Sequence, residues 1–373
     1  MPVQLSVIGA VAAALFTAAI VSFITTPVVR TLAFRVGAVD IPRDSRRMHH
    51  HPIPRMGGLA IFFGFLLSAL VFVPLDTPLR GMLLGAVIIV ILGILDDIYA
   101  LPAMPKFLVQ IVAATVAVLM GNEIEILSNP NIFSSNPYWD LGILSVPISV
   151  FWIVGITNAV NLIDGLDGLA CGVSTISSMT MLVIALTVAE ADVALLMAAL
   201  AGGCIGFLPY NLNPAKIFMG DTGSTFLGFI LATVSIEGLF KSYAIISFAV
   251  PFLMLGLPIF DTCFAILRRI SHGQSPMAPD RGHIHHRLID MGFNQKQAVA
   301  VLYVISAILG LSAVVLTATN VLRAMLVLLA LCAAGGTAAK LYLDRMNHKD
   351  QDSPPPPPGR TGATPPKLRN PPS

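Results

Sequence analysis

The sequence predicts an all-α polytopic membrane protein with about eleven transmembrane helices. Of its 373 residues, 55% are hydrophobic and only 11% are charged, and the mean hydropathy is +0.82. Apolar runs of roughly 20 residues, the length that a helix needs to cross a bilayer, recur along the chain. Soluble globular domains have a far larger charged fraction, so the composition excludes that class.

The apolar runs define the predicted spans. The first begins almost at the amino terminus and lacks both a basic segment and a small-residue cleavage site, so we interpret it as a retained helix and not a signal peptide. The four cysteines fall in or beside these runs without a CxxC pair, which favours small buried hydrophobes over a disulfide framework. The predicted spans lie near residues 6–29, 57–74, 81–95, 106–121, 143–160, 168–188, 193–210, 224–239, 243–267, 297–317 and 320–342.

Basic residues predict the orientation of the spans. The connections after the first and ninth spans are rich in arginine, whereas the opposite connection 122–142 contains no lysine or arginine. The positive-inside rule therefore places the arginine-rich side in the cytoplasm, the amino terminus outside and the carboxyl terminus inside. The outer segment 122–144 is predicted to form a short periplasmic or extracellular β-hairpin. The two arginine-rich connections contain Arg30, Arg35, Arg43, Arg46, Arg47 and Arg55, and Arg268, Arg269, Arg281 and Arg287.

Five polar clusters interrupt the apolar chain, and all five follow odd-numbered spans. They therefore emerge on one membrane face, the cytoplasmic one. Their acidic, basic and histidine side chains suit a metal-dependent reaction on a phosphate, and a site at the bilayer surface implies a lipid as one substrate. The clusters read RRMHHHPIPRMGG, LDDIYAL, NAVNLIDGLDGLA, NLNPAKIFMGDTGS and APDRGHIHHRL.

Composition divides the chain into two domains. Residues 1–345 carry the spans and all five clusters, and they are predicted to form one transmembrane catalytic domain. Residues 346–373 include nine of the 27 prolines and cannot bury a core, so they are predicted to be a disordered cytoplasmic tail. An alternative hypothesis makes the tail a ligand for partner domains and the chain a membrane scaffold.

Two pairs of carboxylates stand out. Asp96 and Asp97 end the third span, where the helix dipole disfavours adjacent carboxylates unless a cation is near. Asp164 and Asp167 are three residues apart and share a helix face with Asn161. The open alternatives are a solvated helix end for the first pair and a capped turn for the second.

Asp221 lies in the segment GDTGS, just before the eighth span. A helix amino terminus with glycines is a ready anion site, and a carboxylate there can hold a divalent ion that the anion shares. An N-cap alone would explain the aspartate, but neither the two glycines nor the nearby Lys216. Hard oxygen ligands predict Mg²⁺, with Mn²⁺ as the alternative metal.

The histidine cluster contains His283, His285 and His286. Clustered histidines can bind zinc, but the segment offers no cysteine or glutamate to complete such a site. With Arg281 alongside, we favour an anion-binding loop.

Taken together, these motifs resemble those of the bacterial polyprenyl-phosphate N-acetylhexosamine-1-phosphate transferases of glycosyltransferase family 4. The resemblance covers nearly all of residues 1–345, with the motifs in the same order and a matching number of spans. The segment HIHHRL, where the peptidoglycan branch usually has three consecutive histidines, and the segment PRMGG are similar to the GlcNAc branch.

The resemblance implies transfer of GlcNAc-1-phosphate from UDP-GlcNAc to undecaprenyl phosphate. The products would be GlcNAc-diphospho-undecaprenol and UMP, in the first membrane step of a cell-wall polymer such as teichoic acid or O-antigen. It implies a multi-pass protein of the bacterial inner (plasma) membrane with its active site facing the cytoplasm and no nucleic-acid partner; a homodimer is left open. The alternatives are a phospho-MurNAc-pentapeptide transferase and, in another class, a secondary transporter, for which Asp261 within the ninth span is the motivating residue.

The resemblance also implies roles for individual residues. Asp221 would ligate Mg²⁺, and Asp96 and Asp97 would lie beside the lipid phosphate, Asp96 as a base and either of the two as a second metal contact, with Asp97 the one assigned. Direct attack by the lipid phosphate is the simpler scheme because a phosphate monoester is largely ionised near neutral pH. An aspartyl-phosphate intermediate is the open alternative. The implied substrate-binding residues are Lys106, Asn161, Asp164, Asp167, Asn211, Phe218, Arg281, His283, His285 and His286.

Overall fold

The computed structural model describes residues 5–41, 51–128, 138–240, 249–275 and 282–318. The chain divides into two units, Met1–Leu328 and Leu329–Ser373. The second unit, with most of the predicted span 320–342 and the proline-rich tail, lies outside the described residues, and so does Arg281.

The described part of the first unit is almost entirely helical. Two short antiparallel pairs accompany the helices: β1 (Val39–Asp40) with β2 (Ile53–Pro54), and β3 (Ile126–Ser128) with β4 (Tyr138–Asp140). The helices are α1 Leu5–Val36, α2 Gly58–Phe72, α3 Thr77–Tyr99, α4 Ala103–Leu119, α5 Ser145–Leu162, α6 Leu169–Val188, α7 Ala191–Asn211, α8 Gly220–Ser235, α9 Ala249–Met254, α10 Gly256–Ser271, α11 Ile284–Asp290 and α12 Gln295–Ala318.

Six of the described helices are long and apolar enough to cross a membrane, and α2 and α4 are shorter apolar helices. Large apolar side chains on α1, such as Phe16, Ile24 and Val28, are more than half exposed, which fits a surface in contact with lipid. The chain is therefore a multi-pass α-helical membrane protein. The count of eleven spans and their orientation remain predictions.

The predicted ninth span, 243–267, differs from the structure, which has two helices in its described part. α9 ends at Met254 and α10 begins at Gly256. Pro258 has no N–H to donate to the carbonyl of Met254, so the helical ladder is broken there. Ser177 Oγ on α6 donates to that carbonyl at 2.9 Å and satisfies it.

Helix α8 lies in the middle of the bundle and is buried from Thr222 to Ser235. Its first turn packs against glycines of α2 and α3. A Cβ on Gly58 would lie 1.9 Å from Cα of Gly223, and a Cβ on Gly93 would lie 2.4 Å from Cα of Thr222. These close approaches bring the Asp221 end of α8 against the ends of the helices that carry the other predicted site residues.

Candidate active site

Five of the predicted site residues meet where α3 and α5 end and α4 and α8 begin. We call them the carboxylate cluster: Asp96, Asp97, Lys106, Asn161 and Asp221. Lys106 Nζ lies 2.7 Å from Asp96 Oδ2 and 3.3 Å from Asp221 Oδ2. Asn161 Nδ2 donates to Asp221 Oδ1 at 3.1 Å and to Ser224 Oγ at 2.8 Å. Two carboxylates from different helices thus converge on one cationic group.

Asp97 holds the start of α8. Its Oδ1 accepts from the backbone N–H of Asp221 at 2.9 Å, and its Oδ2 accepts from the N–H and the hydroxyl of Thr222 at 3.1 and 2.7 Å. A carboxylate at this position satisfies orphan amides and interacts favourably with the helix dipole. Asp97 therefore caps a helix distant in sequence, and its predicted contact with a metal remains a prediction.

Gly220 connects the carboxylate cluster to the neighbouring cavity. Its φ is +73°, a conformation that residues with a side chain rarely adopt. A Cβ at this position would lie 2.4 Å from Asp97 Oδ2. Glycine is therefore required both by the backbone conformation and by the closeness of the Asp97 carboxylate.

A cavity of about 780 Å³ opens next to the cluster, and we call it the polar cavity. Five of the predicted substrate-binding residues line it: Asp164, Asp167, Asn211, Phe218 and His286. Basic residues outside the predicted set also line it, namely Arg30, His51, Arg55 and Lys216.

The carboxyl group of Asp164, in the wall of the polar cavity, has a strongly shifted pKa. Removal of its carboxyl from water, and then the negative charges of Asp221 and Asp97, raise its pKa to about 8, against a partial opposing effect of Arg55. Negative charge thus exceeds positive charge around this carboxyl, and a bound cation would relieve the excess.

Asp167 and Asn211 join loops that form the cavity wall. Asp167 Oδ2 accepts from Asn213 Nδ2 at 2.9 Å and from the N–H of Ala215 at 3.0 Å. Asn211 Oδ1 accepts from the N–H of Gly168 at 3.2 Å, and its amide donates to the carbonyl of Ile217 at 3.1 Å. Both residues line the cavity and organise the loop that leads to Phe218.

The three predicted histidines have different surroundings. His283 Nδ1 lies 2.8 Å from Asp261 Oδ2, and both side chains are buried. His285 packs over Gly165, where a Cβ would lie 2.2 Å from its Nε2. Burial first, and then the neighbouring His286, lower the pKa of His285 to about 4. Of the three, only His286 lines the polar cavity. Substrate contacts of His283 and His285 stay predictions.

Arg30 and Arg55 lie in the cavity wall but were not among the predicted site residues. Arg55 forms an ion pair with Asp40 at 3.3 Å across the β1–β2 pair, and Arg30 Nε donates to the carbonyl of Lys216 at 3.2 Å. Strand β2, which ends one residue before Arg55, is bonded to the Phe218 loop, because the N–H of Phe218 donates to the carbonyl of Pro54 at 2.8 Å. The arginine of the PRMGG motif was the available signal.

Among the described residues, no group of three His, Cys, Asp or Glu side chains could enclose a metal ion. A closed site of zinc type is therefore absent from this part of the chain. Mg²⁺ is usually held by one or two carboxylates together with waters and substrate phosphates, which is a different requirement.

Comparisons with known proteins agree with the motifs. The family description "Glycosyl transferase family 4" matches residues 79–239. The chain is 45% identical over 299 residues to a probable undecaprenyl-phosphate N-acetylglucosaminyl 1-phosphate transferase of Bacillus subtilis, covering 80% of this chain and 82% of that protein. It is 36% identical over 315 residues to a decaprenyl-phosphate N-acetylglucosaminephosphotransferase of Mycolicibacterium smegmatis, covering 77% of each chain.

A relative from the peptidoglycan branch is less similar. Identity to a phospho-N-acetylmuramoyl-pentapeptide-transferase of Staphylococcus aureus is 30% over 317 residues, covering 79% of this chain and 95% of that protein. The higher identity to N-acetylglucosaminyl transferases supports the branch that the HIHHRL and PRMGG segments indicate. The chain belongs to glycosyl transferase family 4.

Proposed function

We propose that the protein transfers GlcNAc-1-phosphate from UDP-GlcNAc to undecaprenyl phosphate and releases UMP. The observation that carries this proposal is the carboxylate cluster at the ends of apolar helices, directly beside a polar cavity with cationic walls. The names of the Bacillus and Mycolicibacterium relatives support the same donor group and a polyprenyl phosphate acceptor. The product, GlcNAc-diphospho-undecaprenol, would begin a cell-wall polymer.

The polar cavity is proposed as the binding site of the nucleotide sugar. Its volume of about 780 Å³ lies in the range of roughly 300–1,000 Å³ that is typical of ligand pockets. Arg30, Arg55 and Lys216 offer cationic groups for a diphosphate, and the ring of Phe218 offers an aromatic surface for a uracil base. Asp164 and His286 line the same space and are proposed to contact the donor.

The residues present fit a bound Mg²⁺. Asp221 and Asp96 bring carboxylate oxygens from two helices to one ammonium group, and the pKa of Asp164 is raised first by burial and then by the negative charges of Asp221 and Asp97. Two carboxylates, completed by waters and a diphosphate, are the donor set that Mg²⁺ prefers. We therefore propose Asp221 as the principal ligand and Asp96 as its partner, with Asp97 acting mainly through α8. Bound Mg²⁺ would neutralise charge on the diphosphate and the departing UMP.

The reaction then needs mainly positioning by the protein. An oxygen of the lipid phosphate forms a bond to the β-phosphorus of the donor, and the bond from that phosphorus to the bridging oxygen breaks, so that UMP leaves with the electron pair. Lys106 is proposed to hold the incoming phosphate, while Asn161 keeps the Asp221 carboxylate oriented. Since the attacking oxygen is already ionised, no general base is required, and the role of Asp96 as a base stays a prediction. UMP release without lipid would contradict direct attack.

The membrane arrangement supports a cytoplasmic active site in the plasma membrane. The candidate site lies at the ends of helices, on the side to which the arginine-rich connections belong, where a soluble nucleotide sugar and a lipid headgroup can meet. A secondary transporter would place its binding groups near the bilayer midplane. Labelling of single cysteines near the cavity from each side of sealed vesicles tests this orientation.

A purified-enzyme assay tests the function. The full-length protein is incubated with undecaprenyl phosphate, Mg²⁺ and a panel of UDP-sugars, and UMP is measured. We expect release with UDP-GlcNAc and none with UDP-MurNAc-pentapeptide. The reverse preference would assign the peptidoglycan reaction, and the absence of UMP with every donor would remove the transferase proposal. Omission of Mg²⁺ with a chelator tests the metal.

A further inference from the structure

Asp261 is a buried carboxylate that the proposed reaction does not use. It lies on α10 and is 3% exposed. Ile163, Leu169 and Leu257 line the small space beside it. An ionised carboxylate in apolar surroundings is unfavourable unless it is paired, and such residues within membrane proteins usually serve a function.

Both oxygens of Asp261 contact the histidine segment. Oδ2 lies 2.8 Å from Nδ1 of His283, and Oδ1 accepts from the backbone N–H of Ile284 at 2.8 Å. When the carboxylate of Asp261 is ionised it can only accept hydrogen bonds, and Nδ1 of His283 must then carry the proton. Asp261 therefore orients an imidazole ring and caps the first residue of α11 at the same time.

Successive ring contacts connect His283 to the polar cavity. The rings of His283 and His285 are stacked, with centroids 5.8 Å apart and planes 8° from parallel. The rings of His285 and His286 are 4.2 Å apart, and His286 lines the cavity. Rotation of the His283 ring would thus displace its neighbours, since His285 is already confined against Gly165.

We propose that Asp261 is a positioning residue for the transfer reaction: through the ring of His283 it sets the position of His286 at the donor site. The proposal rests on the proposed function, because it requires His286 to contact the donor. Capping of α11 alone would not depend on the orientation of the His283 ring, so the two roles can be separated.

Three variants separate these roles. Asp261→Asn retains an acceptor for Ile284 but presents an amide N–H to His283, which must then move its proton to Nε2. Ile284→Pro removes the capping N–H and leaves the contact between Asp261 and His283, while it also replaces a partly buried side chain beside Asp261. The extended backbone of His283 (φ −60°, ψ 151°) is the conformation that precedes proline. Asp76→Asn is the matched control, because Asp76 caps α3 through the N–H of Leu79 at 2.9 Å, away from the cavity.

The kinetic readout is UMP release with varied UDP-GlcNAc and varied lipid. We expect Asp261→Asn to lower kcat/KM for UDP-GlcNAc by on the order of tenfold with little change in KM for the lipid, whereas Ile284→Pro and Asp76→Asn stay near wild type. Equal losses in Asp261→Asn and Ile284→Pro, or a wild-type value for Asp261→Asn, would overturn the proposal. If Asp261→Asn does not fold, His283→Gln, which keeps an N–H for Asp261 but lacks the ring, must show the donor-specific loss.

A second readout does not depend on activity. Nitrogen NMR spectra of ¹⁵N-histidine protein should show a proton on Nδ1 of His283 in the wild type and on Nε2 in Asp261→Asn, together with a shifted His286 signal. An unchanged His286 signal would contradict the positioning role. If the wild type releases no UMP with any donor, the proposed function fails, while these spectra still test whether Asp261 positions His286.

Discussion

The carboxylate cluster and the polar cavity are built in opposite ways. In the cluster, Asp96, Asp97 and Asp221 lie on helix ends, and every carboxylate oxygen has a partner within the protein. The cavity is built largely from loops and carries both cationic and acidic groups. Rigid helix ends fix reacting groups closely, whereas loops offer varied groups for recognition. The difference suggests that the cluster determines the chemistry and the cavity determines the donor.

The largest effect is expected from the centre of the cluster. Asp221→Ala removes the carboxylate that faces both Lys106 and Asn161, and activity should fall by roughly 10²–10³-fold or more. Added Mg²⁺ should not restore it, because the proposed principal ligand is missing. UMP release over a range of Mg²⁺ concentrations measures this, with thermal unfolding to verify the fold. Restoration at high Mg²⁺ would show that Asp221 only tunes affinity.

The junction between the two regions should be nearly as sensitive. Gly220→Ala combines a positive φ with a Cβ 2.4 Å from Asp97 Oδ2, so it should destabilise the protein by about 1–3 kcal/mol and lower turnover. Gly37→Ala is the matched control, since its φ is +79° but nothing lies within 4 Å of the added Cβ. Thermal unfolding and UMP release are measured for both variants. Equal losses of stability and of UMP release in the two variants would show that backbone strain alone causes the effect.

A substitution in the cavity wall should weaken binding of the donor more than it slows the chemical step. Arg55→Ala removes a cationic group from the cavity, and KM for UDP-GlcNAc should rise by about tenfold with a smaller change in kcat. Arg80→Ala is the control for the loss of a positive charge, because Arg80 lies near the start of α3, at the opposite end of that helix from Asp96 and Asp97. Steady-state kinetics separate the two constants. A loss confined to kcat would place Arg55 with the cluster and weaken the division between the regions.

The smallest effect concerns pH and the acidic side of the cavity. Without Mg²⁺, Asp164 has a folded pKa of about 8 against an ordinary value of 3.8. Between these values the folded protein holds a proton that the unfolded chain releases, so the free energy of unfolding should fall as the pH rises through this window. Asp164→Asn should flatten that dependence. Thermal unfolding at several pH values measures it, and identical slopes would contradict the raised pKa.

Most of the helices could be predicted, because a long apolar run directly indicates a segment that can cross the bilayer. The break between Met254 and Gly256 was not predicted, since an apolar run can conceal two helices. It depends on Pro258 and on a hydroxyl from Ser177, a partner 77 residues away. Helix α11 was also missed, because seven residues are too few for periodicity to be recognised.

The candidate site was predictable as a set of residues but not as a set of contacts. The predicted topology placed Asp96 and Asp221 on one membrane face, the family resemblance added Lys106, and the structure brings the three together. That Asp97 would cap α8 could not be foreseen, because the two segments are 124 residues apart. The partner of Asp261 could not be foreseen either. An acidic residue within an apolar span suggested an ion path, whereas in the structure its carboxylate contacts His283.

Hydrophobicity and motif spacing are local properties of the chain, and they were enough to predict the membrane class, the position of most helices, the polar clusters and the family. Tertiary contacts were needed to show which carboxylates face one ammonium group, which one caps a helix and which histidine reaches the cavity. Those outcomes depend on the packing of α8 against glycines of α2 and α3, and such packing is a property of pairs of segments far apart in sequence.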